Sequence, residues 1–153
     1  MVKALTNPFR DRPLPLGSII TAAGKRLSAE LDASLRSAGF PDLRAAHAPV
    51  FMAVDPTGTR VTELAERTKM TKQAVGELVS YLSQHGYVSI APDSTDRRAK
   101  QIILTARGWE AIEVGQRVIA DFDRWLDTAV GAERVAQLRE ALIRIIETDP
   151  AER

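Results

Sequence analysis

The feature that most constrains this chain is the order of patterns within residues 61–108. A short apolar-periodic run is followed by a break, a longer periodic run, and two strand-like runs around a charged turn. Val61, Leu64 and Ala65 recur at helical spacing, and Thr62 stands where a helix N-cap is expected. Thr68, Lys69 and Met70 break the pattern, and Thr71 offers a second cap. Ala74, Val75, Leu78, Val79 and Leu82 then recur at three and four residues, the period of an amphipathic helix. His85 and Gly86 make a helix stop, with glycine just past the end. Tyr87, Val88, Ser89 and Ile90 alternate like a strand, and Lys100–Leu104 is a second. Between them, Pro92, Asp93 and Ser94 suit a turn. Helix, turn, helix and hairpin in one run predict a winged helix-turn-helix. The expected fold is therefore mostly α (α+β), a winged helix-turn-helix with N- and C-terminal dimerisation helices.

The second helix leaves a polar face made of Lys72, Gln73, Gly76, Glu77 and Ser80, opening at Thr71. Residues at the head of such a helix can reach base edges in a major groove. A lysine donates to guanine O6 and N7, and a glutamine pairs with adenine through two bonds. Gly76 would let the helix approach a backbone closely, at a cost of roughly 1 kcal/mol in helix propensity. Taken alone, these residues read more readily as a solvated helix face, and the hairpin that follows reverses that. The hairpin tip adds Arg97 and Arg98, with Asp96 beside them and Lys100 at the foot. Paired arginines suit phosphate contacts or a narrow minor groove. Asp96 would repel DNA if it faced the groove, so its expected role is to orient an arginine. The bland alternative is a solvated loop. Lys69 stands near the position where many helix-turn-helix units carry glycine.

The residues Asp96, Arg98, Ile102, Leu104, Thr105 and Gly108 have the spacing of a known wing signature. In this the chain resembles MarR-type (multiple antibiotic resistance) transcriptional regulators. The upstream helix-turn-helix, from Val61 through Tyr87 and Val88, is similar to the same family in spacing. The resemblance implies a homodimeric, ligand-responsive repressor or activator acting on a palindromic DNA operator.

Charge distribution fits that expectation better than net charge does. The whole 153-residue chain carries +1. Residues 60–108 hold eight Lys or Arg against five acids, so this stretch is +3 and the remainder −2. The basic excess sits where nucleic acid would lie. The chain has no cysteine, which excludes a disulfide framework and a thiol switch. No signal peptide is recognised and no apolar run approaches the ~20 residues of a membrane span, so a cytoplasmic protein without a membrane partner is expected.

The flanks carry long apolar stripes. After a proline-rich lead, Leu16, Ile19, Ile20, Ala23, Leu27, Leu31, Leu35 and Ala38 line one helix, ended by Gly39, Phe40 and Pro41. Beyond Gly108, Ile112, Gly115, Val118, Ile119, Phe122, Trp125, Leu126 and Val130 line another. Gly131 breaks that run, and Val135, Leu138, Leu142, Ile145 and Ile146 mark a last helix. Such stripes usually belong to a monomer core. A winged module closes its own core, so a homodimer interface is the better use for them. The expected division is a lead and dimerisation helix at 1–40, the DNA-binding module at 41–108 and dimerisation helices at 109–153.

Residues 42–54 lie between these parts. Pro49 predicts a kink, or a helix that starts late. His47 reads first as a packed or capping residue. The junction of the flanking helices with the module also offers Leu27, Phe51 and Ile112 as apolar walls and Arg26 and His47 as polar handles, a candidate site for a small aromatic or phenolic effector. No group of His, Cys or carboxylates has metal-ligand spacing, and no nucleophile–base arrangement, phosphate loop or carboxylate pair stands out. Neither a cofactor nor an enzyme is expected. The leading reading is a dimeric, sequence-specific DNA-binding transcriptional regulator, a ligand-responsive repressor on a near-palindromic operator. The alternative is a winged-helix small-molecule-binding or protein-interaction module without DNA binding.

Overall fold

The computed structural model describes residues 12–93 and 99–149. The chain divides into two compact units, residues 1–112 and 113–153. The first begins with α1 (Leu16–Ser37), a 3-10 turn at Ala45–His47 and α2 (Ala48–Ala53). There follow β1 (Thr59–Arg60), α3 (Val61–Thr68), α4 (Lys72–Gln84), β2 (Val88–Pro92), β3 (Lys100–Leu104) and the start of α5 (Ala106–Leu126). This is the winged helix-turn-helix that the pattern predicts: a mostly helical chain with one small antiparallel sheet ordered β1-β3-β2.

The core of this unit gathers side chains from every element. Val50 of α2, Leu64 of α3, Val75 and Leu82 of α4, Tyr87 and Ile102 are all fully buried. Their spacing in α3 and α4 is why those stretches are helical: one apolar face is removed from water and the polar residues are left on the other. Pro49 falls in the first turn of α2, where its missing N–H costs no helical bond. The helix starts late, after the 3-10 turn, as expected.

Two local expectations are corrected, and one exposure is explained. Thr62 is not the cap of α3. The helix starts two residues earlier, with Arg60 extended at the N-cap and no side-chain cap. The cause is β1: pairing of Arg60 with Gln101 holds it extended, and the chain turns straight from strand into helix. Pro92 is not in the turn but ends β2, opposite Lys100. An edge strand tolerates proline, because its outer N–H needs no partner. Ile90 shares the face of Val88 and Ile102 but is not covered. It pairs with Ile102, yet Ile90 is 44% exposed while Ile102 is fully buried. The sheet order explains this, since β3 is central and β2 lies at the edge.

The turn between α3 and α4 contains Lys69 at φ 53° and ψ 32°. Among the described residues it is the one non-glycine with positive φ. An L-residue there costs about 1 kcal/mol that glycine avoids. The Met70 N–H donates to the Ala65 carbonyl at 3.1 Å, which closes the end of α3. Thr71 then caps α4 as expected, its hydroxyl accepting from the Ala74 N–H at 3.1 Å.

The second unit contains the remainder of α5, a π-helical turn at Asp127–Gly131 and α6 (Ala132–Glu147). Gly131, at φ 100°, ends the turn where the pattern breaks. Phe122 and Trp125 stack one turn apart on α5, and Asp123 pairs with Arg139 of α6 at 3.3 Å. Among the described residues of this unit only Val135 is a buried apolar side chain, while Ile119, Trp125, Val130, Leu138, Ile143, Ile145 and Ile146 are exposed. No described helix is long and apolar enough to cross a membrane.

Candidate nucleic-acid interface

Helix α4 presents its head to solvent. Thr71, Lys72, Gln73, Glu77 and Ser80 are exposed, whereas Val75, Val79 and Leu82 are buried on the opposite face. Gly76 is half-buried, and a Cβ built there meets nothing within 4 Å. The Gln73 amide donates to the Glu77 carboxylate at 3.2 Å, one turn along. Glu77 therefore orients the Gln73 amide. Lys100 is exposed at the start of β3. Asp96, Arg97 and Arg98 lie outside the described residues.

The foot of the hairpin is fixed to the helix-turn-helix by contacts that the pattern did not announce. The Arg60 guanidinium donates to the Asp93 carboxylate at 2.8 Å, and Asp93 is buried. This pair joins the N-cap of α3 to the last described residue before the wing tip. The Asp93 N–H donates to the Ala99 carbonyl at 3.0 Å and closes the ladder below the tip. On the far side, Gln101 donates to the Thr57 carbonyl at 2.9 Å and packs across Gly58, whose φ of 100° and lack of a side chain make room for it.

The join to α5 explains the end of the wing signature. The Thr105 N–H donates to the Tyr87 carbonyl, and its hydroxyl donates to the Gly86 carbonyl at 2.6 Å. The same hydroxyl accepts from the Gly108 N–H at 3.1 Å and so caps α5. A Cβ on Gly108 would stand 2.3 Å from the Tyr87 carbonyl oxygen. Thr105 and Gly108 are thus required by one tight crossing of α5 over the start of β2.

Beside that crossing, the Tyr87 hydroxyl donates to Asp42 at 2.8 Å and accepts from Arg107 at 3.0 Å. The Arg107 guanidinium lies over the rings of Phe40 and Tyr87. Burial and the bond to Asp42 push the Tyr87 hydroxyl up to about 12, so it stays protonated as a donor. Burial alone would raise the Asp42 carboxyl, but the Tyr87 hydroxyl and the Arg107 charge hold it below its usual value. Arg67 makes a second tie, donating to Asp55 at 2.8 Å, to Glu63 at 2.5 Å and to the Ala53 carbonyl. Apart from Arg67–Glu63, one turn apart on α3, the partners in the Asp42–Tyr87–Arg107 and Arg67–Asp55 ties lie far apart in the chain.

The five residues considered for an effector fare differently. His47 is buried, accepts the Arg44 N–H on Nδ1 at 3.1 Å and stacks on Tyr81 at 4.8 Å. Burial, then the Arg44 charge, lowers its pKa. Phe51 meets Tyr87 edge to face. Arg26 is exposed and paired with Glu30 one turn along α1, while Leu27 and Ile112 are half-buried. A cavity of about 540 Å³ opens beside α2, walled by Ala48, Pro49, Met52 and Arg67, and none of the five lines it. Among the described residues no group of three or more His or carboxylates converges as a metal site.

Residues 42–99, which include the helix-turn-helix and the first strand of the hairpin, match the model of the MarR family, the one the sequence resembles. None of the curated proteins compared matches the chain in sequence. Among solved structures, the reduced form of MarR from E. coli is 22% identical, with 88% of this chain and 98% of that one covered and a TM-score of 0.73. FabT from Streptococcus pneumoniae, in complex with DNA, is 15% identical, covering 86% and 93%, at 0.73. BpsR from Bordetella bronchiseptica, whose DNA binding is regulated by 6-hydroxynicotinic acid, is 17% identical, covering 90% and 100%, at 0.72. These likenesses establish the winged-helix fold over nearly the whole chain.

Proposed function

We propose that this chain, a winged helix-turn-helix protein whose residues 42–99 are of the MarR family, is a dimeric, sequence-specific DNA-binding transcriptional regulator. The observation that carries the reading is the exposed polar head of α4, mounted on a buried apolar face and flanked by a hairpin whose foot is pinned through Arg60 and Asp93. Lys72 and Gln73 read base edges, with Glu77 holding the Gln73 amide in place. Thr71, Gly76 and Ser80 let the helix lie close to the groove. Arg97, Arg98 and Lys100 take phosphates or the neighbouring minor groove, and Asp96 orients an arginine. FabT has been crystallised with DNA, and so has a mutant MarR with operator DNA, which supports the same use of the fold here.

Residues 1–40 and 109–153 supply the dimer contacts, and residues 41–108 the DNA-binding module. Two modules related by a two-fold axis recognise a near-palindrome with half-site centres roughly 34–36 Å apart. The protein acts as a repressor in the cytoplasm. A small aromatic or phenolic effector releases it, as the regulation of BpsR by 6-hydroxynicotinic acid suggests. The residues proposed for the effector are Arg26, Leu27, His47, Phe51 and Ile112.

Selection of duplexes from a random-sequence library by the full chain, followed by footprinting, tests the reading. The expected product is a near-palindrome whose affinity falls steeply with salt. Gln73→Ala should relax base preference at particular positions, by about 1–3 kcal/mol for each bidentate pair removed. Recovery of no enriched sequence would favour an interaction module instead.

A further inference from the structure

Lys69 departs from what its backbone position favours. It is the described non-glycine residue in the left-handed region, it is exposed, and it sits two residues before the cap of α4. Glycine or asparagine would relieve the strain. The side chain returns nothing to the fold: none of the ion pairs or side-chain hydrogen bonds among the described residues involves its ammonium. The carboxylates of Glu63 and Asp55, on the same side of the turn in sequence, are held by Arg67 instead. The chain therefore keeps a strained cation that has no side-chain partner among the described residues. It keeps it beside the exposed head of the helix that also carries Lys72 and Gln73. Strain retained without internal compensation is a mark of a residue held for an external contact.

We propose that Lys69 is a DNA-contacting residue that binds a backbone phosphate flanking the base pairs under α4. This rests on the regulator reading above and extends it. In a helix-turn-helix the first helix crosses the phosphate backbone while the second enters the groove, and Lys69 caps the end of the first. The left-handed turn fixes the direction in which the Lys69 stem leaves the surface. The lysine therefore adds register and affinity but no base preference.

The test uses the full chain with two duplexes, one selected by the wild-type protein from a random library and one of mixed sequence. Lys69→Gly relieves the strain and removes the cation. It should raise Tm by about 2–4 °C and weaken binding to both duplexes by similar factors. The slope of log affinity against log salt should become shallower by about 0.9, the change that accompanies removal of one phosphate neutralisation. Lys69→Ala keeps the strain and loses the cation, so it should bind as weakly as Lys69→Gly without the gain in Tm. Lys69→Arg should bind like the wild type. Unchanged affinity and salt slope in Lys69→Ala overturn the proposal, whatever Tm does. A loss confined to the selected duplex also overturns it, because a bond to phosphate does not discriminate sequence. A wild-type chain that retains neither duplex overturns the regulator reading itself, a result distinguishable from the others.

Discussion

The two units of this chain use apolar residues in opposite ways. The winged module buries Leu64, Val75, Leu82, Tyr87 and Ile102 completely, and its elements are tied by Arg60–Asp93, Arg67–Asp55 and the Asp42–Tyr87–Arg107 cluster. Residues 113–153 bury only Val135 among their described apolar side chains and leave Ile145 and Ile146 at 56% and 73% exposure. The first pattern is a core that closes on its own chain. The second is an exposed apolar surface, the one proposed above to pair two copies. The lesson is that the winged module holds its shape with its own side chains, whereas residues 113–153 leave most of their apolar faces outside any core of their own among the described residues.

The largest contrast should come from truncating one apolar side chain in each unit. Leu64→Ala leaves a cavity in a closed core and should cost about 2–5 kcal/mol in urea unfolding. Ile146→Ala should change the unfolding of dilute protein by no more than about 0.5 kcal/mol. Its effect should appear instead as a concentration-dependent loss of assembly. Equal costs in dilute protein would break the comparison. Glycines offer a second contrast. Gly108→Ala drives a Cβ into the Tyr87 carbonyl oxygen and should cost about 1–3 kcal/mol. Gly115→Ala meets nothing within 4 Å and should gain about 1 kcal/mol through helix propensity. A loss at Gly115 would place a second chain's surface over it.

What could be read without a structure follows from the range of the forces involved. The helices of the helix-turn-helix were legible because burial of one face imposes a short period, and Thr71 caps within three residues. The strand at Lys100–Leu104 was legible because it is central and apolar. The cap of α3 was not, because β1 is only two residues long and is set by pairing with β3, a strand far along the chain. The places of Ile90 and Pro92 were hidden because edge position is a property of the sheet, which one strand's pattern does not contain. The ties Arg60–Asp93 and Asp42–Tyr87 span 33 and 45 positions. Their residue types are ordinary for turns and strand starts, so nothing nearby marked them.

The smallest expected effect concerns His47. Its imidazole is disfavoured as a cation by burial and by Arg44, with Asp32 and Asp42 acting the other way and His85 adding to the suppression. The folded state therefore binds the proton less readily than the unfolded chain does. Stability should be complete above the ordinary value near 6.5 and should decline as pH falls below it. Thermal melts from pH 7.5 to pH 5 check this, roughly the range in which a histidine titrates. His47→Gln should flatten the decline, and an equally steep decline in that variant would move the effect to other groups.

The central claim is that a self-contained reading module is paired by faces its own core does not use. Sedimentation velocity of the full chain with a duplex selected from a random library tests it most directly. Two chains on each duplex, with free protein already dimeric at the same concentration, is the expected result. A single chain on the duplex, or a free protein that stays monomeric at every concentration, would contradict it.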